Sequence, residues 1–183
     1  MPLSLLIGGA RSGKSSLAVD LARGLGTPVV FVATAEALDP EFEQRIARHQ
    51  SDRPAEWRLV EEPLELAQVL FGVSDDVTVV IDCLSLWVSN LMGREDEEAA
   101  IAEAAERTAR LAAKRGGMTI VVTNEVGLGI VPANPLARRF RDALGRVNAI
   151  WSAAARETLL VVAGRTLELS PLDAEAHGRV RPR

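Results

Sequence analysis

Short apolar runs recur along the chain, and stretches of helical period separate them. Leu3 to Ile7, Val29 to Ala33 and Met118 to Thr123 are apolar at nearly every position, and Val77 to Ile81 leads in the same way into Asp82. A strand with one wet face alternates. Runs that do not alternate predict strands buried on both faces, as in a parallel sheet between helical layers. The helical stretches carry their own punctuation. Lys14 to Leu25 is closed by Gly24 and Gly26, with Pro28 as a stop. Asp39 and Pro40 read as the cap and first residue of a helix running to about Gln50, with Phe42, Ile46 and His49 on one face. Ser51 to Pro54 breaks it. Trp57 to Val60 is expected as a short strand and Pro63 to Phe71 as a helix. Leu84 to Met92 and the alanine-rich Glu95 to Arg115 are expected as helices, the second with a solvated charged face and a stop at Gly116-Gly117. A long helix is predicted from Pro135 to Glu157. Leu159 to Ala163 and Thr166 to Leu169, about a turn at Gly164-Arg165, form a closing pair of strands. Ser170 to Arg183 is polar and reads as a mobile tail. Strands alternating with helices predict one three-layer α/β domain with a mainly parallel sheet over residues 1–169, followed by a tail over 170–183.

The first strand and helix enclose the most informative stretch. Gly8 to Ser15, GGARSGKS, fits the phosphate-binding pattern G-x-x-x-x-G-K-[ST] in its required strand–loop–helix context. Gly8 and Gly13 are expected to let the chain curl, so that successive backbone N–H groups converge on one phosphate. Gly9, Ala10, Arg11 and Ser12 supply the turn between them, and the start of the next helix adds unpaired N–H groups and a positive dipole end. Lys14 brings a compact charge for the β- and γ-phosphates. Ser15 offers a hydroxyl to Mg²⁺, and Asp82, an acid ending an apolar strand, fits the second metal-holding position of such sites. These residues predict nucleoside triphosphate binding. The stretch from Asn124 to Pro132 is too glycine-rich for a helix and falls at a strand's C-terminal edge, where open α/β sheets place ligands. Structural turn and substrate contact both fit it. Arg138, Arg139, Arg141 and Arg146 of the long helix are read as phosphate contacts or as a solvated face.

Composition narrows the setting. With 183 residues, 48% hydrophobic and 25% charged, the chain is of ordinary globular type. A formal net charge of −4 disfavours a sequence-independent grip on nucleic acid, and with it a DNA motor. No apolar run approaches membrane-spanning length, so no membrane insertion is expected. Cys83 is the single cysteine, and the N-terminal apolar run lacks a basic leader before it; a cytoplasmic enzyme is the expectation. No guanine-reading N-K-x-D of a GTP switch occurs in the sequence.

In order along the chain, GGARSGKS, VATAE at Val32 to Glu36, RIARHQSDRP at Arg45 to Pro54, TNEVGLGIVP at Thr123 to Pro132 and RRFRDALGRVN at Arg138 to Asn148 resemble the bifunctional adenosylcobinamide kinase/adenosylcobinamide-phosphate guanylyltransferase family. The resemblance covers about residues 3 to 169 and implies a RecA-like P-loop NTPase fold and a homotrimer. It implies two reactions. ATP or GTP phosphorylates the aminopropanol hydroxyl of adenosylcobinamide, and GTP then gives GMP to adenosylcobinamide phosphate through a GMP–histidine intermediate. The family histidine falls on His49. Family nucleotide contacts fall on Gly8 to Ser15, Thr34, Ala35, Gln50, Ser51, Asp52, Arg53, Glu61 and Asp82, where some members have glutamate. Read without the resemblance, a histidine on an apolar helix face is an ordinary core residue, and a plain P-loop kinase is the competing function.

Overall fold

The computed structural model describes residues 2–35 and 54–171. The helix expected from Pro40 to about Gln50, His49 with it, the stretch Gln50 to Arg53, and the tail from residue 172 onward lie outside the described residues.

A seven-stranded sheet forms the middle layer, in the order β3-β2-β4-β5-β1-β6-β7. Its strands are β1 (Leu3–Gly8), β2 (Val29–Ala33), β3 (Arg58–Glu61), β4 (Thr78–Asp82), β5 (Thr119–Asn124), β6 (Glu157–Val162) and β7 (Arg165–Glu168). Every neighbouring pair is parallel except the closing hairpin β6–β7. The helices are α1 (Lys14–Gly24), α2 (Leu66–Gly72), α3 (Leu84–Gly93), α4 (Glu98–Lys114) and α5 (Pro135–Ala154).

The non-alternating strands are buried on both faces. Leu5, Val32, Ile81 and Val121 point into a core shared with α2, α3, α4 and α5, which includes Leu66, Trp87, Ile101 and Trp151. Their chain neighbours Leu6, Phe31, Val80 and Val122 point the other way, under Ala18, Val19 and Ala22 of α1. The alanines of α4 now have a reason. Ala105, Ala109 and Ala112 recur at helical spacing on its buried face, and their small side chains let α4 approach the layer closely. Among the described residues no helix is long and apolar enough to cross a membrane.

Element ends depart from the sequence expectations where tertiary pairing or a cap overrides periodicity. α5 stops at Ala154, short of Glu157, because Ala155 turns extended and β1 captures the chain. The Arg156 N–H donates to the Leu3 carbonyl at 2.9 Å, and the Ser4 hydroxyl donates to the Glu157 carboxylate. α4 starts at Glu98 rather than Glu95, since Glu95 is left-handed at φ 66° and cannot continue a helix. α2 starts at Leu66, after the Glu62 carboxylate has accepted the N–H groups of Leu64 and Glu65 at 2.9 and 2.8 Å.

Gly116-Gly117 does more than stop α4. A Cβ at Gly117 would lie 2.5 Å from the Asp75 carbonyl oxygen and 2.6 Å from that of Val77, backbone atoms that cannot step aside. Arg115 reinforces the same junction by donating to the carbonyls of Ser74 and Val77, each at 2.8 Å. Gly145, inside α5, meets nothing within 4 Å. Gly117→Ala is therefore expected to lower stability by about 1–3 kcal/mol. Gly145→Ala is expected to raise it by about 1 kcal/mol, as alanine does in a helix interior. Urea unfolding of both variants beside the native chain checks this pair of opposite signs.

Candidate active site

β1, β4 and β5 are adjacent, and their registers bring Gly8, Asp82 and Asn124 together at the C-terminal edge of the sheet. The phosphate loop leaves β1 there. Gly13, at φ 101°, occupies backbone space that L side chains avoid, as the curl requires. Arg11 is left-handed too, at φ 56°. Gly8 is needed for a different reason from the one its place in the motif suggests. A Cβ there would lie 2.1 Å from the Val161 carbonyl oxygen, so the glycine lets β6 close against the base of the loop.

Lys14 opens α1 and is only 6% exposed. Its ammonium donates to the Gly9 carbonyl at 2.7 Å and to the Ser12 hydroxyl at 3.3 Å, which folds the side chain back across the loop. Burial lowers its pKa, opposed by Cys83 and Asp82. The Cys83 thiol is itself pushed up to about 11, by burial first and by Asp82 second, so it is neutral near pH 7. The negative charge facing Lys14 is thus that of Asp82. No side chain caps the N-terminus of α1, which leaves its first N–H groups to an anion.

These groups line a cavity of about 560 Å³. Residues Ala10 to Ser16 form one wall, and Ala33, Ala35, Asp82, Cys83 and Asn124 form the strand-end floor. Leu86 and Phe140 close the far side from α3 and α5. The volume lies within the ~300–1,000 Å³ common for small-ligand sites. Ser15 and Asp82, a hydroxyl and one carboxylate, both reach this cavity. That sparse oxygen set fits Mg²⁺, which keeps several waters and takes remaining ligands from substrate phosphates. Among the described residues no group of three or more His, Cys, Asp and Glu side chains would hold a metal without them.

The structure sorts the expected site residues. Ala10 to Ser15, Ala35 and Asp82 line the cavity, while Gly8 and Gly9 at the root of the loop lie outside the lining. Thr34 sits behind the wall instead. It is fully buried, and its hydroxyl accepts the Cys83 N–H at 2.8 Å and donates to the Cys83 carbonyl at 2.7 Å. Its side chain is committed to the backbone next to Asp82. Glu61 ends β3 beside Ala33, exposed and outside the cavity lining. His49, Gln50, Ser51, Asp52 and Arg53 lie outside the described residues.

Two asparagines missing from the sequence reading hold the strand ends. Asn90 of α3 donates to the carbonyls of Thr34 and Pro63 at 2.8 and 3.1 Å. Asn148 of α5 accepts the Thr123 hydroxyl at 2.6 Å and donates to the Asn124 carbonyl at 3.0 Å. The available signal was a polar residue on an otherwise apolar helix face, as Asn148 stands between Leu144, Val147 and Trp151. A buried amide in such a place needs partners, and strand-end backbone supplies them.

Structural comparison shows the fold. The RadB recombinase superposes with a TM-score of 0.51 at 18% identity, over 86% of this chain and 73% of that one. An ATPase of a bacterial type III secretion system gives 0.54 at 10% identity, over 98% of this chain and 54% of its own. Sequence comparison is closer. The bifunctional adenosylcobalamin biosynthesis protein CobP of Pseudomonas aeruginosa is 40% identical over 166 residues, 90% of this chain and 95% of that protein. CobU of Escherichia coli, with the same description, is 40% identical over 173 residues, 87% and 95% of the two chains. Residues 4–169 match the family described as cobinamide kinase / cobinamide phosphate guanyltransferase, and with the phosphate loop and its cavity in place this chain belongs to that family.

Proposed function

We propose that this chain phosphorylates adenosylcobinamide with ATP or GTP and then transfers GMP from GTP to the product, forming adenosylcobinamide-GDP and pyrophosphate. The observation that carries this is the Lys14 cavity at the sheet edge, within a chain that matches the family over residues 4–169. In the first step the aminopropanol hydroxyl attacks the γ-phosphorus, loses its proton, and the nucleoside diphosphate leaves. Lys14 would exchange its bonds to Gly9 and Ser12 for phosphate oxygens, and the α1 N-terminus would hold the adjacent phosphate. Mg²⁺ on Ser15 and Asp82 would supply neutralisation of the phosphate charge.

In the second step imidazole nitrogen of His49 attacks the α-phosphorus of GTP and pyrophosphate leaves. An oxygen of adenosylcobinamide phosphate then attacks the same phosphorus and frees the histidine. A neutral imidazole suits this role near pH 7, since its unperturbed pKa is about 6.5. Gln50 to Arg53 and Glu61 belong to this second nucleotide position in the proposal, and Thr34 supports the wall through Cys83. The proposed assembly is a homotrimer, as the family resemblance implies, and the proposed compartment is the cytoplasm, as composition and the single cysteine suggest.

Three outcomes test the scheme. Lys14→Ala should fold but lose both transfers by about a hundredfold or more, since each develops charge on phosphates that Lys14 faces; near-native rates would remove Lys14 from the site. At alkaline pH, triphosphate binding should take up protons, because the phosphates restore a lysine pKa that burial has lowered. Calorimetry in buffers of different ionisation enthalpy reads this directly, and a heat independent of buffer would contradict it. Finally, GTP labelled at the α-phosphate should leave an acid-labile, mild-base-stable label on His49. His49→Asn should abolish the label and the guanylyl transfer while sparing the kinase step. A label that survives in His49→Asn, or none in the native chain, leaves a plain kinase as the better reading.

A further inference from the structure

β5 lies between β1, whose loop carries Lys14, and β4, which ends in Asp82. Its last residue, Asn124, pairs in register with Gly8, is half-buried and lines the cavity. Its carboxamide makes no hydrogen bond among the described residues. An asparagine at a strand end ordinarily turns its side chain back onto the next few main-chain groups. Here Glu125 does that instead, accepting the Gly127 N–H. Asn124 thus keeps both its carbonyl and its NH2 group for something else, in a cavity where polar groups need partners.

The main chain around this amide is held in place. The Thr123 hydroxyl donates to the Asn148 carboxamide oxygen at 2.6 Å, and the NH2 group of Asn148 donates to the Asn124 main-chain carbonyl at 3.0 Å. The Glu125 N–H donates to the Gly8 carbonyl at 3.1 Å. Asn148 is only 6% exposed and sits on α5 among Leu144, Val147 and Trp151. An amide buried there costs free energy unless both of its ends are bonded. Both are, and they bond to the residues that end β5. Asn124 is therefore aimed through its backbone and left free at its tip, as a group that meets a ligand has to be.

We propose that the Asn124 carboxamide is a catalytic group of the phosphoryl transfer, bridging the γ-phosphate and the attacking hydroxyl, and that Asn148 is the residue that positions it. This rests on the proposed function. There Lys14 on one side, and the oxygens of Ser15 and Asp82 on the other, flank the terminal phosphate. A side chain between those holders faces the phosphate they share, and the nucleoside lies beyond the β- and α-phosphates. The amide N–H donates to a γ-phosphate oxygen while its carbonyl accepts the hydroxyl hydrogen of the aminopropanol arm, which holds oxygen and phosphorus at attacking distance. As the new P–O bond forms, the bond to the nucleoside diphosphate breaks. The hydroxyl proton passes to a phosphoryl oxygen and on to solvent; the amide does not ionise and takes no proton.

The test starts with Asn124→Ala, which removes the amide and leaves the main-chain bonds in place. The kcat for phosphorylation of adenosylcobinamide should fall about tenfold or more, with little change in the KM for the phosphoryl donor or in the melting temperature. Asn124→Asp keeps the size, loses the donor and sets a negative charge against the phosphate, so it should be slower still. The GMP label on His49, formed by attack on a different phosphorus, should slow far less. A native kcat in Asn124→Ala, or an Asn124→Asp variant as fast as the native chain, overturns the catalytic role, and so does an equal slowing of both reactions. Asn148→Leu should lower the same kcat in the native chain and lower it no further in Asn124→Ala, because positioning is lost on a missing amide. Losses that add overturn the positioning role. Thr123→Val, which releases the Asn148 amide, runs the same cycle if Asn148→Leu does not fold. A native chain inactive on adenosylcobinamide is a failure of the proposed function, and it shows before any variant is made.

Discussion

A buried ammonium next to a carboxylate at the edge of a parallel sheet is the constraint on which the rest depends. Lys14 is held away from water by the loop that carries it, and its charge is expensive there unless oxygen atoms surround it. The Gly9 carbonyl and the Ser12 hydroxyl meet part of that need, and Asp82 offsets part of the desolvation. A triphosphate would meet more of it. The geometry asks much of the scaffold. β1 and β4 must both flank β5, α1 must start where the loop ends, and β6 must close on Gly8 without a side chain between them.

The sheet delivers this through double-sided burial. Each central strand sends successive side chains into opposite cores, so a slip of register would disturb both layers at once. What burial cannot settle is the exact course of the strand ends, where the backbone leaves its ladder. There Thr34, Asn90 and Asn148 take over, each using a short polar side chain to hold a main-chain group. Among the described residues none of the three lines the cavity itself.

Much of the layout was legible in the sequence because it follows from local pattern. Unbroken apolar runs announced buried parallel strands, and GGARSGKS between a strand and a helix announced the phosphate site with Lys14 and Ser15. The family resemblance read from RIARHQSDRP and TNEVGLGIVP agrees with the match over residues 4–169. The failures have a common origin in long-range contacts. The end of α5 was misplaced because helical periodicity continues past Ala154 while β1 pulls the chain into β6. Gly8 was credited with a curl when its neighbour across the sheet, the Val161 carbonyl, is what excludes a side chain. That the Thr34 hydroxyl is bonded to the Cys83 backbone is likewise a contact between distant stretches that no local pattern carries.

The proposed chemistry makes one product whose two phosphates come from two different positions of the nucleotide. The most direct measurement is incubation of the chain with adenosylcobinamide and GTP labelled separately at the γ- or the α-phosphate, followed by chromatography of the corrinoid products. The account predicts that adenosylcobinamide-GDP carries both labels, the γ-label in the phosphate next to the corrinoid arm and the α-label in the phosphate next to guanosine. A corrinoid that acquires only the γ-label contradicts the bifunctional scheme, and a corrinoid that acquires no label from GTP, nor from γ-labelled ATP supplied beside it, contradicts the function altogether.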